Sequence, residues 1–562
     1  MNVIEERLSF FRGEDVVAAY RRAEIAKYRN NPLIEALQQI HDVPEVIKKL
    51  TKKVSFHEQD RLMNPTHRLH CIYDLPRLVQ PLENHLRIEQ SLSILIRDGY
   101  VDRNPLTVNG IRLRNEGADN VAKAMKAFEK SKKTSQTVSF DNRSYKTSGG
   151  GLSIIGVSGM GKTTAINNIL MTMYPAQVIR HSQYKGRNIN LTQIVWLKLE
   201  CPPKGSIKAL CLNFFQVLKD LVGDEHYDKF IIKGTVEQMI PVMAQMCATY
   251  MIGALIIDEI QHLSGNTDVE EHMLNFFVTL KNMLGIPVVL IGTNKAWDML
   301  SKEFRQLRRA CEHFGVVFWE RMEFRPLSAP IDSEVGMDWK IFLFALWKYQ
   351  WTRTPIAVDD LLNNTMYEYS QGVTDIAIKL FMVAQWRAIN NGKESLTPQI
   401  IRDVIDNELC ALKPVLLALK LNDYVKLESL KDIYIKDLKI DKFFDKALSE
   451  LAKKQLTVAK PESDTSLKDE VDIAYEATKW LMEAQVPAQQ ADMIVKSLVE
   501  ANKGIVLPEL KSKSFQTYSK LKEKVDKKHK NDKKNTLKSE VKVSNDAVVE
   551  TISRDILKVD SI

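Results

Sequence analysis

An eight-residue run rich in glycine, GVSGMGKT at residues 156–163, constrains the fold of this chain more than any other feature. It matches the pattern G-x-x-x-x-G-K-[ST], and it stands between an apolar run (residues 152–157) and a helical stretch (residues 164–173). Glycines let backbone N–H groups turn toward phosphate oxygens, and the start of the helix adds partial positive charge. The motif and its context therefore predict a P-loop that holds the phosphates of a nucleotide.

The residue types in this loop assign roles to individual side chains. Lys162 is expected to reach the β- and γ-phosphates, and the Thr163 hydroxyl is expected to ligate Mg²⁺. The sequence thus predicts ATP and Mg²⁺ as cofactors. With the acidic residue described next, the predicted nucleotide-binding residues are Gly156, Ser158, Gly159, Gly161, Lys162, Thr163, Thr164 and Asp258.

Two acidic residues follow a second apolar run at residues 254–257. Asp258 is expected to hold Mg²⁺ through water. Glu259 is placed to act as the base that orients and polarises the attacking water. A strand can end in two acids by chance, but the pair favours hydrolysis of ATP over binding alone.

Five short apolar runs, separated by longer helical stretches, define the fold class as α/β. Near-continuous hydrophobic strands of this kind indicate a parallel sheet covered on both faces. The predicted five strands lie at residues 152–157, 194–199, 254–257, 287–291 and 316–319. From about residue 338 the chain reads as helical, which predicts a helical lid after the sheet.

Further polar residues occupy places where AAA+ proteins carry ATP sensors and fingers, so the site resembles that of an AAA+ ATPase. Thr293 or Asn294, at the end of the fourth strand, would be a sensor of the γ-phosphate, or alternatively a simple helix cap. Arg308 and Arg309 would reach the ATP of a neighbouring subunit, or alternatively form a basic helix face. The lid offers no clear sensor arginine, and Lys379 is the nearest base on its helix.

Changes of composition along the chain predict six segments, with N- and C-terminal helical regions around the AAA+ core. These are a helical region (1–110), a linker (111–150), the α/β core (151–330), the lid (331–410), a second helical region (411–510) and a lysine-rich tail (511–562). Between residues 511 and 542 twelve lysines face four acids. Such a segment is expected to be disordered and to attract a polyanion such as nucleic acid.

Three lysines near predicted strand ends are candidates for contact with the DNA backbone. Lys204 and Lys208 follow the second strand of the predicted sheet, and Lys295 follows the fourth. Phosphate contacts of this kind carry no sequence information, so sequence-independent binding of duplex DNA is expected. The alternative is that these lysines lie in solvated loops.

Two further features bear on the setting of the chain. Its six cysteines form no CxxC or Cys/His cluster, so neither zinc nor a disulfide framework is expected. No apolar run reaches the roughly 18 residues that a membrane span requires, and the start of the chain does not read as a signal peptide. A cytoplasmic location, in a bacterium, is the expectation.

Several runs outside the generic ATP site resemble TnsC, the AAA+ regulator of a class of cut-and-paste bacterial transposons, and its relatives in the TniB group. The likeness extends over roughly residues 20 to 415. The runs are residues 28–32 with 34–37, 99–101 with 103–105, 212–215, 257–263, 273–279, 290–296 and 370–373.

The resemblance implies an ATP-dependent switch that assembles as a ring or helical oligomer around duplex DNA. Its partners would be a target-selecting protein of the TnsD or TniQ type and the subunits of the transposase. Hydrolysis would take the assembly apart. Two other readings stay open, a replication initiator or helicase-loader-like ATPase and a scaffold that binds ATP without hydrolysing it.

Overall fold

The computed structural model of the chain has two compact units, residues 1–451 and residues 452–562. It describes residues 11–116, 150–202, 206–223, 235–263, 277, 285–297, 315–330, 335–430, 440–458, 465–502 and 505–535. None of the helices in these ranges is both long enough and apolar enough to span a membrane.

The N-terminal region consists of one short strand and several helices that pack on the rest of the first unit. Its elements are β1 (Glu14–Val17), α1 (Pro32–Glu35), α2 (Val43–Leu50), α3 (Pro65–Tyr73) and α4 (Glu83–Val101). Three of these helices carry a polar N-cap followed by proline in the first turn, which is a common way to begin a helix. Apolar residues of α4 belong to the same buried cluster as one face of the central sheet.

In the residues that the structure describes, the predicted nucleotide-binding core contains the remaining strands and three α-helices. They are β2 (Gly151–Gly156), α5 (Lys162–Met173), β3 (Ala176–Tyr184), β4 (Arg187–Ile194), β5 (Trp196–Glu200), α6 (Ile207–Val222), α7 (Val236–Thr249), β6 (Ala254–Asp258), β7 (Val288–Gly292) and β8 (Val316–Trp319). Five strands form one parallel sheet in the order β5-β6-β7-β2-β8. The predicted five-stranded parallel sheet is therefore confirmed.

Successive residues of the central strands pack into two different buried clusters. Ile154 and Ile256 join the cluster that contains the N-terminal and lid helices, whereas Ile155 and Ile257 join the cluster that contains α6 and α7. Side chains alternate between the two faces of a strand, so a sheet covered on both faces needs apolar residues at every position. This requirement explains the unbroken apolar runs in the sequence.

A second sheet of three strands, β1-β3-β4, was not predicted from the sequence. Strands β3 and β4 are antiparallel and form a hairpin, and β1 lies parallel to β3 on its other side. Lys185 and Gly186 connect the hairpin, and both have positive φ angles, 49° and 78°. Two such residues are what a type I′ turn requires.

After the sheet, the first unit continues as helices, as predicted. They are α8 (Met337–Trp347), α9 (Asp360–Ser370), α10 (Thr374–Asn390), α11 (Pro398–Asn407), α12 (Lys413–Lys420), α13 (Tyr424–Ser429) and α14 (Ile440–Val458). Arg68 of α3 is fully buried and forms two hydrogen bonds of 2.7 Å to Glu394, in the turn between α10 and α11. This bidentate ion pair ties the N-terminal region to the lid.

Within the described part of the second unit, three helices form a bundle: α15 (Thr465–Glu483), α16 (Ala488–Ala501) and α17 (Leu507–Asn535). The sequence predicts disorder from residue 511, and here the structure differs, because α17 runs to residue 535. Leu510 and Ser514 are fully buried in this bundle, and Tyr518 packs against its apolar cluster. These residues are four positions apart, so they lie on one face of α17. This face packs in the bundle although the segment is rich in lysine. Residues 536–562 lie outside the described residues.

Candidate nucleotide site

The P-loop connects β2 to α5 and has the geometry that its glycines allow. Gly159 and Gly161 have φ angles of 85° and 87°, in the left-handed region that favours glycine. Gly161 is the N-cap of α5, so the first backbone N–H groups of that helix face the loop. Lys162 is buried, and its Nζ donates to the carbonyl oxygens of Gly156 and Val157 at 2.9 and 2.8 Å. The lysine ammonium is thus held at the loop.

The order of the strands brings the other predicted residues to the same place. Strand β7 lies between the P-loop strand β2 and the acidic strand β6, and all three are parallel. Their carboxyl ends therefore meet at one edge of the sheet, where open α/β sheets bind ligands. A cavity of about 300 Å³ at this edge is lined by residues 158–164 of the loop and by Asp258, Glu259 and Thr293.

Asp258 is the last residue of β6 and is almost completely buried. One carboxylate oxygen, Oδ1, accepts a hydrogen bond from the backbone N–H of Glu259 at 2.9 Å. The other, Oδ2, lies 3.0 Å from Nζ of Lys198, a lysine of the neighbouring strand β5 whose side chain is only 5% exposed. Asp258 is therefore held in place by a backbone hydrogen bond and a buried ion pair.

Glu259 begins the turn that leaves β6, and its side chain reaches the cavity. The residue has a φ angle of 57°, and its carbonyl oxygen accepts from the N–H of His262 at 3.0 Å. Its carboxylate accepts a hydrogen bond from Nε2 of Gln261. Burial, and to a smaller extent the charge of Glu259, raises the pKa of Cys201 to about 12. The Cys201 thiol therefore stays protonated near this acid.

The end of β7 carries the predicted sensor residues Thr293 and Asn294. The backbone N–H of Thr293 donates to Oε1 of Gln261 at 3.1 Å, and Thr293 lines the cavity. Thr293 precedes a helical turn that begins at Asn294, where the N–H of Ala296 donates to the Thr293 carbonyl at 2.8 Å. This geometry serves a helix start and also points Thr293 to the site.

The opposite wall of the cavity comes from the N-terminal region and the lid. Its apolar residues are Pro76, Leu78, Val79, Leu82, Phe342 and Ile378. His85 also lines it, packed edge-on against Trp319 at 5.1 Å between ring centroids. Burial lowers the pKa of His85 to about 4, so the imidazole is neutral near pH 7. An apolar wall beside a phosphate loop can take the base of a nucleotide.

The lid touches the P-loop directly. The carbonyl oxygen of Gly159 accepts hydrogen bonds from Oγ1 of Thr374 at 2.9 Å and from the N–H of Asp375 at 3.0 Å. Lys379, one turn further along α10, lines the cavity and forms a 2.7 Å ion pair with Asp375. The sequence offers no clear sensor arginine in this part of the lid, and the basic residue that lines the cavity here is Lys379.

The side chains at the sheet edge fit a Mg²⁺ ion. Asp258 is buried at this edge, with its Oδ2 paired to Lys198, and Thr163 lines the same cavity. A hydroxyl and a carboxylate are hard oxygen donors, which Mg²⁺ prefers. When bound there with ATP, the ion would neutralise charge on the β- and γ-phosphates, while Lys162 and the loop N–H groups orient them.

The candidate DNA-binding lysines and the candidate finger arginines are the other predicted residues. Lys204, Arg308 and Arg309 lie outside the described residues. Lys208 is exposed in the first turn of α6, and Lys295 is exposed after β7. Both lysines follow the carboxyl ends of strands of the central sheet.

Three contributors to the site are not evident from the sequence. Lys198 interrupts the apolar run of residues 194–199, and a charged residue in a buried strand is a signal for a partner at the site. Gln261 follows the two acids by two residues and is 5% exposed. Six residues between positions 76 and 85 line the cavity, although the sequence places this segment only in the N-terminal helical region; they are Pro76, Leu78, Val79, Gln80, Leu82 and His85.

A family model described as an AAA domain matches residues 145–300, which include the P-loop and the acidic strand. Similar solved structures include a Drosophila ORC bound to DNA, with 13% identity, a TM-score of 0.29 and coverage of 46% of this chain and 55% of that chain. Another is the Thermotoga maritima RuvB Holliday junction branch migration motor, with 15% identity, a TM-score of 0.26 and coverage of 52% and 69%.

This chain thus spans about half the length of the ORC chain, and similarity at these scores carries no argument about function. No curated protein sequence matches the chain. The geometry and the family model agree on one point, that residues 145–300 contain an AAA domain of the P-loop NTPase class.

Proposed function

We propose that this protein is an ATP-dependent regulator of DNA transposition that assembles on duplex DNA and is released when ATP is hydrolysed. One observation carries the enzymatic part. Lys162, Asp258 and Glu259 line a single cavity at the edge of the sheet. A phosphate-binding cation, a metal-binding carboxylate and a second carboxylate for the attacking water are the groups that phosphoryl transfer to water needs.

In this proposal each side chain has one task. Lys162 and the loop N–H groups bind the phosphates, and Thr163 and Asp258 hold Mg²⁺. Glu259 accepts the proton of the attacking water, and Thr293 or Asn294 senses the γ-phosphate. Arg308 and Arg309 act on the ATP of a neighbouring subunit, so the active oligomer is a ring or a helix.

The transposition part rests on the TnsC-like runs in the sequence. Two of them surround the site, since residues 257–263 contain the acidic pair with Gln261 and residues 290–296 contain the sensor strand end. The proposed partners are a target-selecting protein of the TnsD or TniQ type, met by the N-terminal region, and the subunits of the transposase. The lysine-rich helix α17 and the residues after it are the proposed docking segment for DNA or the transposase.

The alternative is a replication initiator or helicase-loader-like ATPase. Such a protein would place a winged-helix domain, which includes strands, after the lid. All elements of the described residues beyond position 410 are helices, which supports the regulator over the initiator.

Electron microscopy of the protein with duplex DNA and a non-hydrolysable ATP analogue tests this function. Rings or filaments that follow DNA of any sequence are expected, and none without nucleotide. Replacing Lys204 and Lys208 by glutamate should weaken binding to all duplex sequences alike and flatten its salt dependence. Discrete complexes at one sequence would favour the initiator.

A further inference from the structure

Gln261 joins the end of the acidic strand to the end of the sensor strand through one side chain. Its Nε2 donates to the carboxylate of Glu259, and its Oε1 accepts from the backbone N–H of Thr293 at 3.1 Å. The side-chain amide thus uses its donor on one strand end and its acceptor on the other. A glutamine is needed for this, because a carboxylate could not donate to Glu259 and an aliphatic chain could do neither.

Gln261 and Glu259 differ in how strongly their surroundings restrict their side chains. Gln261 is 5% exposed, whereas Glu259 is exposed and follows a residue that is almost completely buried. A carboxylate at the surface of a cavity has many rotamers, and a buried amide that donates to it selects among them. The bridge therefore fixes the orientation of Glu259 relative to β7.

The backbone around the bridge is built for close approach. Glu259 has a φ angle of 57°, which turns the chain at once into a 3₁₀ turn at Ile260–Leu263. A Cβ atom at Gly292, the last residue of β7, would lie 2.7 Å from Cγ2 of Ile260 and 3.0 Å from Oε1 of Gln261. Glycine at this position lets the turn pack on the strand end, and any larger residue would displace Gln261.

We propose that Gln261 is a positioning residue that couples the γ-phosphate sensor to Glu259. When Thr293 and the strand end shift toward or away from a γ-phosphate, the Thr293 N–H moves Oε1 of Gln261, and Nε2 moves the carboxylate with it. Glu259 is then aligned with the attacking water only when the sensor is engaged. The proposal rests on the proposed hydrolysis of ATP.

Replacement by methionine tests this bridge, because methionine fills a similar volume and makes neither hydrogen bond. In Gln261→Met the kcat for Mg²⁺-dependent ATP hydrolysis should fall by about 10- to 100-fold, as is typical when a residue that orients a functional group is removed. The Kd for ATP should stay as in the wild type, because Gln261 makes none of the predicted phosphate contacts. A fall in kcat together with a rise in the Kd for ATP would indicate a structural role and overturn the proposal.

Gln261→Glu separates the two halves of the bridge. Glutamate keeps an acceptor for the Thr293 N–H but faces Glu259 with like charge, so kcat should fall here too. Normal kcat in Gln261→Glu would show that the contact with Glu259 is dispensable, which contradicts the proposal.

Gln385→Met is the matched control. Gln385 is likewise a buried glutamine whose amide makes two hydrogen bonds, accepting from the Trp351 N–H and donating to the Tyr349 carbonyl, but it lies in the lid helix α10. Gln385→Met should lower the unfolding temperature, but it should lower kcat much less than Gln261→Met does. An equal loss of kcat in both variants would mean that packing, not the bridge, is responsible.

The double variant Glu259→Gln with Gln261→Met shows whether Gln261 acts through Glu259. If it does, the second change should add almost nothing to the loss caused by the first. A fully additive loss would assign Gln261 a separate role and refute the coupling. A wild-type protein without any hydrolysis would refute the proposed function instead, so the two failures are distinguishable.

Discussion

Lys198 and Asp258 form a buried ion pair between neighbouring strands of the parallel sheet, with 3.0 Å between Nζ and Oδ2. The register places Lys198 opposite Ile256 and Glu200 opposite Asp258, so the lysine reaches forward along the sheet to the carboxylate. Their side chains are only 5% and 2% exposed. The negative charge proposed to bind Mg²⁺ is therefore balanced by a lysine of the protein.

Removal of Lys198 should make the protein depend on Mg²⁺·ATP for stability. In Lys198→Met, Asp258 is left as a buried charge without its partner, which typically costs about 3–5 kcal/mol. A bound metal ion would restore the balance. The rise in unfolding temperature on adding Mg²⁺·ATP should thus be larger for the variant than for the wild type, as measured by thermal unfolding. Equal rises would show that the ion does not bind at Asp258.

Loss of the P-loop lysine should abolish nucleotide binding. Lys162 now donates to Gly156 and Val157, and Lys162→Ala removes the charge-assisted contact with the β- and γ-phosphates. Isothermal titration calorimetry with an ATP analogue should show no binding. The exposed Lys393→Ala is the control and should bind as the wild type does. Normal binding by Lys162→Ala would place the nucleotide elsewhere.

The hydrogen bond between the lid and the P-loop should contribute to nucleotide affinity. Thr374→Val keeps the shape of the side chain and removes the donor to Gly159. A neutral hydrogen bond contributes about 1 kcal/mol, so the Kd for ATP should rise about fivefold. Thr365→Val is the control, since its hydroxyl donates within its own helix to Leu361. If both variants bind ATP as the wild type does, the lid contact is not coupled to the nucleotide.

His85 should make folding sensitive to acid. Burial lowers the pKa of its imidazole from 6.5 to about 4, so the unfolded chain binds the proton more readily. The contribution of neutral His85 to the free energy of unfolding is fully present above pH 6.5. As the pH falls from 6.5 toward 4, this free energy falls by about 3 kcal/mol at most.

In His85→Asn the amide oxygen replaces Nδ1 as acceptor for the Leu82 N–H. The variant should lose less stability than the wild type between pH 6.5 and 4, measured by urea unfolding. Identical slopes for the two proteins would contradict the assignment of a neutral, buried His85.

The central sheet was predictable because buried parallel strands have a simple signal. Strand β8 has the predicted bounds, and β6 and β7 differ from them by one residue. The hairpin β3-β4 was not predictable, because Arg180, Gln183 and Asn188 interrupt its apolar residues and make the segment resemble a loop. An antiparallel strand with one face toward solvent tolerates such residues.

The residues of the site likewise fall into two groups: those that a local sequence motif identifies and those that only the fold brings to the site. The roles proposed for Lys162, Thr163, Asp258 and Glu259 follow from motifs of adjacent residues, and the structure brings them to one cavity. Lys198 joins them only through the pairing of β5 with β6, and the Thr374 contact joins residues 215 positions apart. Spacing along the sequence carries no signal for contacts that depend on the fold.

The lifetime of the protein on DNA after ATP is supplied is the most direct test of the proposed switch. Glu259→Gln keeps the phosphate and metal ligands and loses the base, which typically slows such a step by about 10²- to 10⁴-fold. Labelled duplex DNA is loaded with ATP, competitor DNA is then added, and dissociation is followed by fluorescence anisotropy. The wild type should leave the DNA as it hydrolyses ATP, while Glu259→Gln should remain bound. Equal lifetimes for the two proteins, with hydrolysis lost in the variant, would contradict the account.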